Sequence, residues 1–278
     1  MRPTYGYYAT CKDLWYSVPM EVRNWCKSTT IGNMYTLELA AHMGYLEVLE
    51  WALINGLPCL NKEIVSFAAL GGHMEILKWA YKNQCPWDET SCSNAASSGN
   101  LEVLKWLHDH ECPWNETVFS YAASQGNLQI VKWLHAKGCP WDENTPMLAA
   151  SSGHLDLLDW VHENGCPCTL SMSWSAASNG HIDVLKWMLE KGYPCDETTC
   201  YSAARKGNIE VLKWLRENGC DWDESTCKGA VQCGHLDVLK WARKNGCPWD
   251  VYTFQAAVSA QNQNIIEWLV TNGCPTYF

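Results

Sequence analysis

The stretch Ala149-Ala150-Ser151-Ser152-Gly153-His154-Leu155-Asp156, closed by Trp160, is one copy of a unit that fills most of the chain. Working outward from it, Trp recurs at 51, 79, 106, 133, 160, 187, 214, 241 and 268, with one gap of 28 residues followed by seven of 27. An Ala pair stands at 40/41, 68/69, 95/96, 122/123, 149/150, 176/177 and 203/204, weakening to Ala230-Val231 and Ala257-Val258. Gly follows each pair at 44, 72, 99, 126, 153, 180, 207 and 234, and only Gln261 breaks that column. A fixed period of this length marks a chain of repeated supersecondary units.

Each unit reads as two short helices. Asp88, Asn115, Asp142, Asp196, Asp223 and Asp250 stand where an N-cap is wanted, and Glu follows in most copies, favourable at a helix N-terminus. In the first helix Cys92, Ala95 and Ala96 share a face by their spacing. Gly-Asn or Gly-His then turns the chain. In the second helix Leu101, Leu104 and Leu107 are expected to bury one stripe, joined by Val103 and Trp106. Gly at 138, 165, 192, 219, 246 and 273 ends that helix as a C′ residue. A Cys-Pro pair usually follows, and Pro holds its predecessor extended. A helix pair this short cannot bury its own stripe, so copies must stack. The reading is an all-α solenoid of nine helix pairs over 35–278, with 1–34 a cap or degenerate half-repeat.

The string Ala-Ala-x-x-Gly-His-Leu-Asp/Glu-Val-Leu-Lys-Trp-Leu, closest at Ala176 to Trp187 and Ala230 to Trp241, resembles the second half of an ankyrin repeat. Two departures accompany the resemblance. The period is shorter than the family's 33 residues, and the missing residues fall where ankyrin repeats place a β-hairpin finger. The Thr-Pro-Leu-His opening is absent too; Thr145-Pro146 is one residue out of register. Such shortened units resemble those of large DNA viruses of amoebae and some protists. The resemblance implies a non-catalytic scaffold that binds a partner protein. Leu14, Val18-Pro19, Glu21-Val22 and Trp25 resemble the start of an F-box, which would make the chain a ubiquitin-ligase adaptor. A self-associating structural or virion component is the third reading.

Composition excludes several classes. Lys plus Arg number 20 against 30 Asp plus Glu, a net charge of -10. That sign disfavours nucleic acid and anionic membranes. The N-terminus, Met1 to Tyr8, has no apolar signal core, so the expected location is the cytoplasm. No phosphate loop, nucleophile elbow or catalytic constellation is present, and neither an enzyme nor a cofactor is expected. Thiols in a reducing compartment need not pair, although Cys occurs 16 times. The Cys column at 85, 112, 139, 166, 220, 247 and 274 repeats at about one helix spacing, ~10 Å. That exceeds the ~7 Å a disulfide tolerates, so these Cys are expected to be small buried hydrophobes. Cys166-Pro167-Cys168 beside His162 lacks the second pair that a four-ligand metal site needs, and no metal is expected.

Three other columns are informative. His108, His135 and His162, replaced elsewhere by Tyr81, Leu189, Arg216 and Arg243, suggest a permissive solvated face. His73, His154, His181 and His235 are read as turn caps. Trp87, Trp114, Trp141, Trp222 and Trp249 on the connectors either cover the next connector or form a ladder of exposed rings for a peptide.

Candidate binding residues come from the variable positions of the first helix. The position after the Cys column reads Ser93, Ser120, Met147, Trp174, Tyr201, Lys228 and Gln255; the position four later includes Arg205 and Gln232. In ankyrin-like solenoids this face lines the partner groove. Met147, Trp174, Tyr201, Arg205, Lys206 and Lys228 are the expected partner-binding residues of a monomer, since aromatics beside Arg compose hot spots. Alternatively, Trp174 and Tyr201 fill space left by the short connectors at Cys168 and Cys195.

Overall fold

The computed structural model describes residues 34–57 and 60–276. The segment 1–33, with its cap and F-box readings, lies outside the described residues. Among the described residues there are 18 helices and no strand. The β-hairpin fingers of ankyrin repeats, expected to be shortened or missing, do not occur there, and none of these helices is long and apolar enough to cross a membrane.

Two compact units divide at Trp141 and Asp142. The first contains α1 Met34–Met43, α2 Leu46–Ile54, α3 Lys62–Gly71, α4 Met74–Lys82, α5 Glu89–Ser97, α6 Leu101–Asp109, α7 Glu116–Ser124 and α8 Leu128–Ala136. The second contains α9 Asn144–Ser152, α10 Leu155–Glu163, α11 Ser171–Asn179, α12 Ile182–Glu190 and α13 Glu197–Arg205. It continues with α14 Ile209–Glu217, α15 Glu224–Gln232, α16 Leu236–Lys244, α17 Val251–Ser259 and α18 Gln263–Thr271. Odd-numbered helices pack side by side within each unit, α1 to α3 to α5 to α7 and α9 through α17, and each packs on the even helix that follows. Each unit is thus a stack of helix pairs.

Local chemistry explains the boundaries. Asp88, Asn115 and Asp223 accept from the backbone N–H two residues on, and Asp196 and Asp250 from the one three residues on. Such caps satisfy N–H groups that a helix leaves orphaned. Asn100, Asn127 and Asn262 cap even helices in the same way. The histidines do not. The rings of His73 and His181 instead donate to carbonyls of the preceding pair, Nε2 lying 2.8 Å from His42 O and 3.0 Å from Ser151 O. Asn208 does the same, its Nδ2 donating to Ala177 O at 2.9 Å and Ser178 O at 2.8 Å. They join pairs rather than cap turns.

The core is Ala on the odd helices against Val, Ile and Leu on the even ones. Ala95, Ala96, Leu104 and Leu107 are fully buried. Leu101 and Trp106 are only half-buried, so the even-helix stripe is narrower than expected. Trp187 differs from its half-buried equivalents: it is 7% exposed. The Cys column is buried as expected, but it also hydrogen-bonds. The thiols of Cys112, Cys166 and Cys247 donate to the carbonyls of Asp88, Asp142 and Asp223 at 3.4, 3.5 and 3.4 Å. Burial pushes the Cys139 and Cys166 thiols up to about 12, which keeps the donor proton in place.

Candidate partner-binding face

The odd-helix column splits by unit. In the first unit it is a seam. Ser66 and Ser93 are buried, and their hydroxyls meet Thr90 at 2.7 Å and Thr117 at 2.9 Å on the next odd helix. Ser120 is buried as well. The expectation that Ser93 and Ser120 sit on an open face fails, because a small hydroxyl lets the neighbouring helix close over it.

In the second unit large side chains keep the column open. Met147 on α9 is half-buried, and Trp174 on α11 is 40% exposed. Among the described residues Trp174 makes no ring contact. Tyr201 on α13 is half-buried and packs its ring against Gly229 of α15, where a Cβ would stand 2.9 Å from its Cδ2. Its hydroxyl donates to Gln232 Oε1 at 3.3 Å. Gly229 is the void that accepts the ring. Arg205 and Lys206 are exposed at the end of α13, and Lys228 is half-buried on α15. None of these three cations joins an ion pair among the described residues, whereas Lys191 and Lys213 pair with Asp159 and Glu210.

Tyr201, Lys228 and Gln232 line one open depression of about 400 Å³ together with Glu197 and Asp223. Lys228 and Gln232 also line a second of similar size, shared with Tyr252 and Gln255. The structure therefore brings Tyr201 and Lys228 together. Met147 and Trp174 lie two odd helices and one odd helix earlier, outside both depressions. Tyr252, 56% exposed, was not among the expected residues. Its signal was faint: an aromatic in the first turn of α17, where the copies from Thr90 to Ser225 carry Ser, Thr or Asn.

The connector tryptophans are not a free ladder. Trp114 stacks on His108 with centroids 4.2 Å apart and meets Trp133 edge-on at 5.9 Å. Tyr81 holds Trp87 at 5.5 Å, and His135 holds Trp141 at 4.7 Å. The guanidinium carbons of Arg216 and Arg243 lie 4.4 and 3.9 Å from the Trp222 and Trp249 ring centres. The column read as permissive is thus a set of planar clamps: Tyr, His and Arg differ in charge but share a flat face for the indole six residues on.

At the connector of Cys168, which lacks Trp, the clamp is rebuilt. Beside Cys168, Tyr193 shares a hydrogen bond with His162 Nδ1 at 3.0 Å and stacks on Trp187 with centroids 6.1 Å apart. The Trp187 indole N–H donates to Asp159 Oδ1 at 2.7 Å. At the next connector Cys195 is bonded to Cys220, their Cα atoms 5.5 Å apart. The expectation of no disulfide is overturned here. The column does not bridge to itself; an off-column Cys in the Trp position reaches the column Cys of the following connector. Among the described residues no cluster of His, Cys, Asp and Glu has the form of a metal site.

The family model described as ankyrin repeats (3 copies) matches residues 92–172 and 146–226. No curated protein matches. Among solved structures, the chain is similar to the crystal structure of the human ASB11 ankyrin repeat domain, at 19% identity and a TM-score of 0.45, over 58% of this chain and 85% of that one. The helix pairs between residues 92 and 226, a little under half of the chain, are thus similar to ankyrin repeats.

Proposed function

We propose that this chain is a non-catalytic interaction module that holds a segment of a partner protein along the odd-helix face of its second unit. Ankyrin repeats imply protein binding in general, and the particular face is our reading. The observation that carries it is the change in one column: buried hydroxyls at Ser66, Ser93 and Ser120, then exposed Trp174, half-buried Tyr201 and unpaired Lys228. An aromatic at 40% exposure with no ring partner gains by being covered. Arg205, Lys206 and Lys228 are free of ion pairs in a chain of net charge -10, which favours a partner segment carrying carboxylates beside an apolar anchor. Met147 extends the face toward α9. The module acts as a cytoplasmic monomer in this reading. Self-association through the connector Trp gains less support, because each such ring except its rim is already clamped. The test is affinity capture with the wild type, Trp174→Ala/Tyr201→Ala, and Tyr121→Ala as an exposed aromatic on the other unit. A partner kept by Tyr121→Ala and lost by the double variant supports the face; one retained by all three removes it.

A further inference from the structure

Cys195 immediately precedes Asp196, the N-cap of α13, and Cys220 immediately follows Gly219, which ends α14 in a left-handed turn at φ +79°. The bond between them therefore closes a ring around one whole helix pair, and that ring contains Tyr201, Arg205 and Lys206. At 87, 114, 141, 222 and 249 the same connector position carries Trp, held by a planar side chain six residues before it. At 195 the indole is gone and position 189 is Leu, so no clamp forms. We propose that Cys195–Cys220 is a thiol–disulfide exchange site, taking a dithiol reductant, whose state sets the rigidity of α13 and α14.

Access and charge define the chemistry. Cys195 is half-buried, while Cys220 is 1% exposed. A reductant thiolate attacks the Cys195 sulfur, the S–S bond breaks, and Cys220 leaves as a thiolate that takes a proton from water. The reductant's second thiolate then attacks its own bridging sulfur and releases Cys195. Two electrons pass to the protein, and the reductant ends as a disulfide. Arg216 donates from Nη1 to the Cys220 carbonyl, which keeps a cation beside the leaving residue. Reclosing the bond reverses the steps with a disulfide oxidant of the same class, which takes the two electrons back.

Once reduced, Cys195 has neither bond nor clamp, and upstream of it the connector is held only through Tyr193, by His162 and Trp187. At the start of α13 there remains the Asp196 cap, which accepts from Thr199 N–H at 3.2 Å and the Thr198 hydroxyl at 2.7 Å. Hydrogen–deuterium exchange of the full chain, purified without reductant and then treated with dithiothreitol, tests this without any partner. It is therefore independent of the binding face. Peptides from 197–217 should exchange at least ~10-fold faster after reduction, with 116–136 unchanged. Cys195→Ser/Cys220→Ser should show the fast rate in either condition; should it fail to fold, the wild-type comparison decides alone. Unchanged exchange at 197–217, or alkylation of both thiols in the protein purified without reductant, overturns the proposal.

Discussion

The Arg243 guanidinium lies 3.9 Å from the centre of the Trp249 ring, and the same ring meets Trp268 edge-on with centroids 5.9 Å apart. One flat cation, one connector indole and one even-helix indole thus join two successive helix pairs. The geometry recurs with His108, Trp114 and Trp133, where imidazole replaces guanidinium. If planarity carries the contact, Arg243 and Trp249 must be energetically coupled. A double-mutant cycle of Arg243→Ala and Trp249→Ala, read from denaturant midpoints, should give a coupling of about 0.5–2 kcal/mol. Additive losses would show that the two merely lie close.

Gly153 is required twice over. Its φ of +77° is unfavourable for any side chain, and a Cβ there would stand 2.7 Å from Nδ1 of His181. Gly192, at φ +84°, opens onto empty space. Gly192→Ala should therefore cost only the backbone part, about 1–2 kcal/mol. Gly153→Ala should cost more, because the His181 ring must leave its bond to Ser151 O. Thermal unfolding that ranks the two equally would contradict the role given to His181.

Asp159 links charge to stability in α10. Donation from the Trp187 indole, and then Lys191 at 3.2 Å, hold its carboxyl below the usual 3.8. A carboxyl depressed in the folded state adds stability that is present above the unfolded value and is lost as pH falls through the folded one. Asp159→Asn should accordingly be less stable than wild type at pH 7, and the difference should vanish as pH drops well below 3.8. With 48% of that side chain exposed, the effect is small and shrinks in high salt. A gap that persists unchanged at low pH points to packing of Trp187 instead of charge.

The repeat made the fold legible: the Trp spacing, the Ala pairs and the Gly turns all mark boundaries that the helices respect. Gln261 even keeps the left-handed turn of the Gly column, at φ +53°. What the sequence concealed was tertiary. Tyr81, His108, Arg216 and Arg243 look interchangeable only on a hydropathy scale; their shared planarity matters because each faces an indole six residues later. Ser93 and Tyr201 occupy equivalent positions, yet one is sealed by Thr117 and the other spreads over Gly229. The deciding residue lies on the next helix each time. Likewise Cys195 meets Cys220 only because the chain returns after one helix pair. Of the candidate face, the aromatic run and its cations could be read from the column, whereas the seat of the Tyr201 ring beside Gly229 could not.

In the proposed function Trp174 and Tyr201 serve binding, whereas Trp187 serves packing. The most direct test measures unfolding and partner affinity together for Trp174→Ala and Trp187→Ala. Trp187, nearly buried and bonded to Asp159, should cost about 3–5 kcal/mol of stability on truncation. Trp174→Ala should leave the melting temperature near that of wild type and weaken the partner by about thirtyfold, the equivalent of ~2 kcal/mol. Unfolding of Trp174→Ala as readily as Trp187→Ala, or undiminished partner binding by it, would rule out a binding role for Trp174.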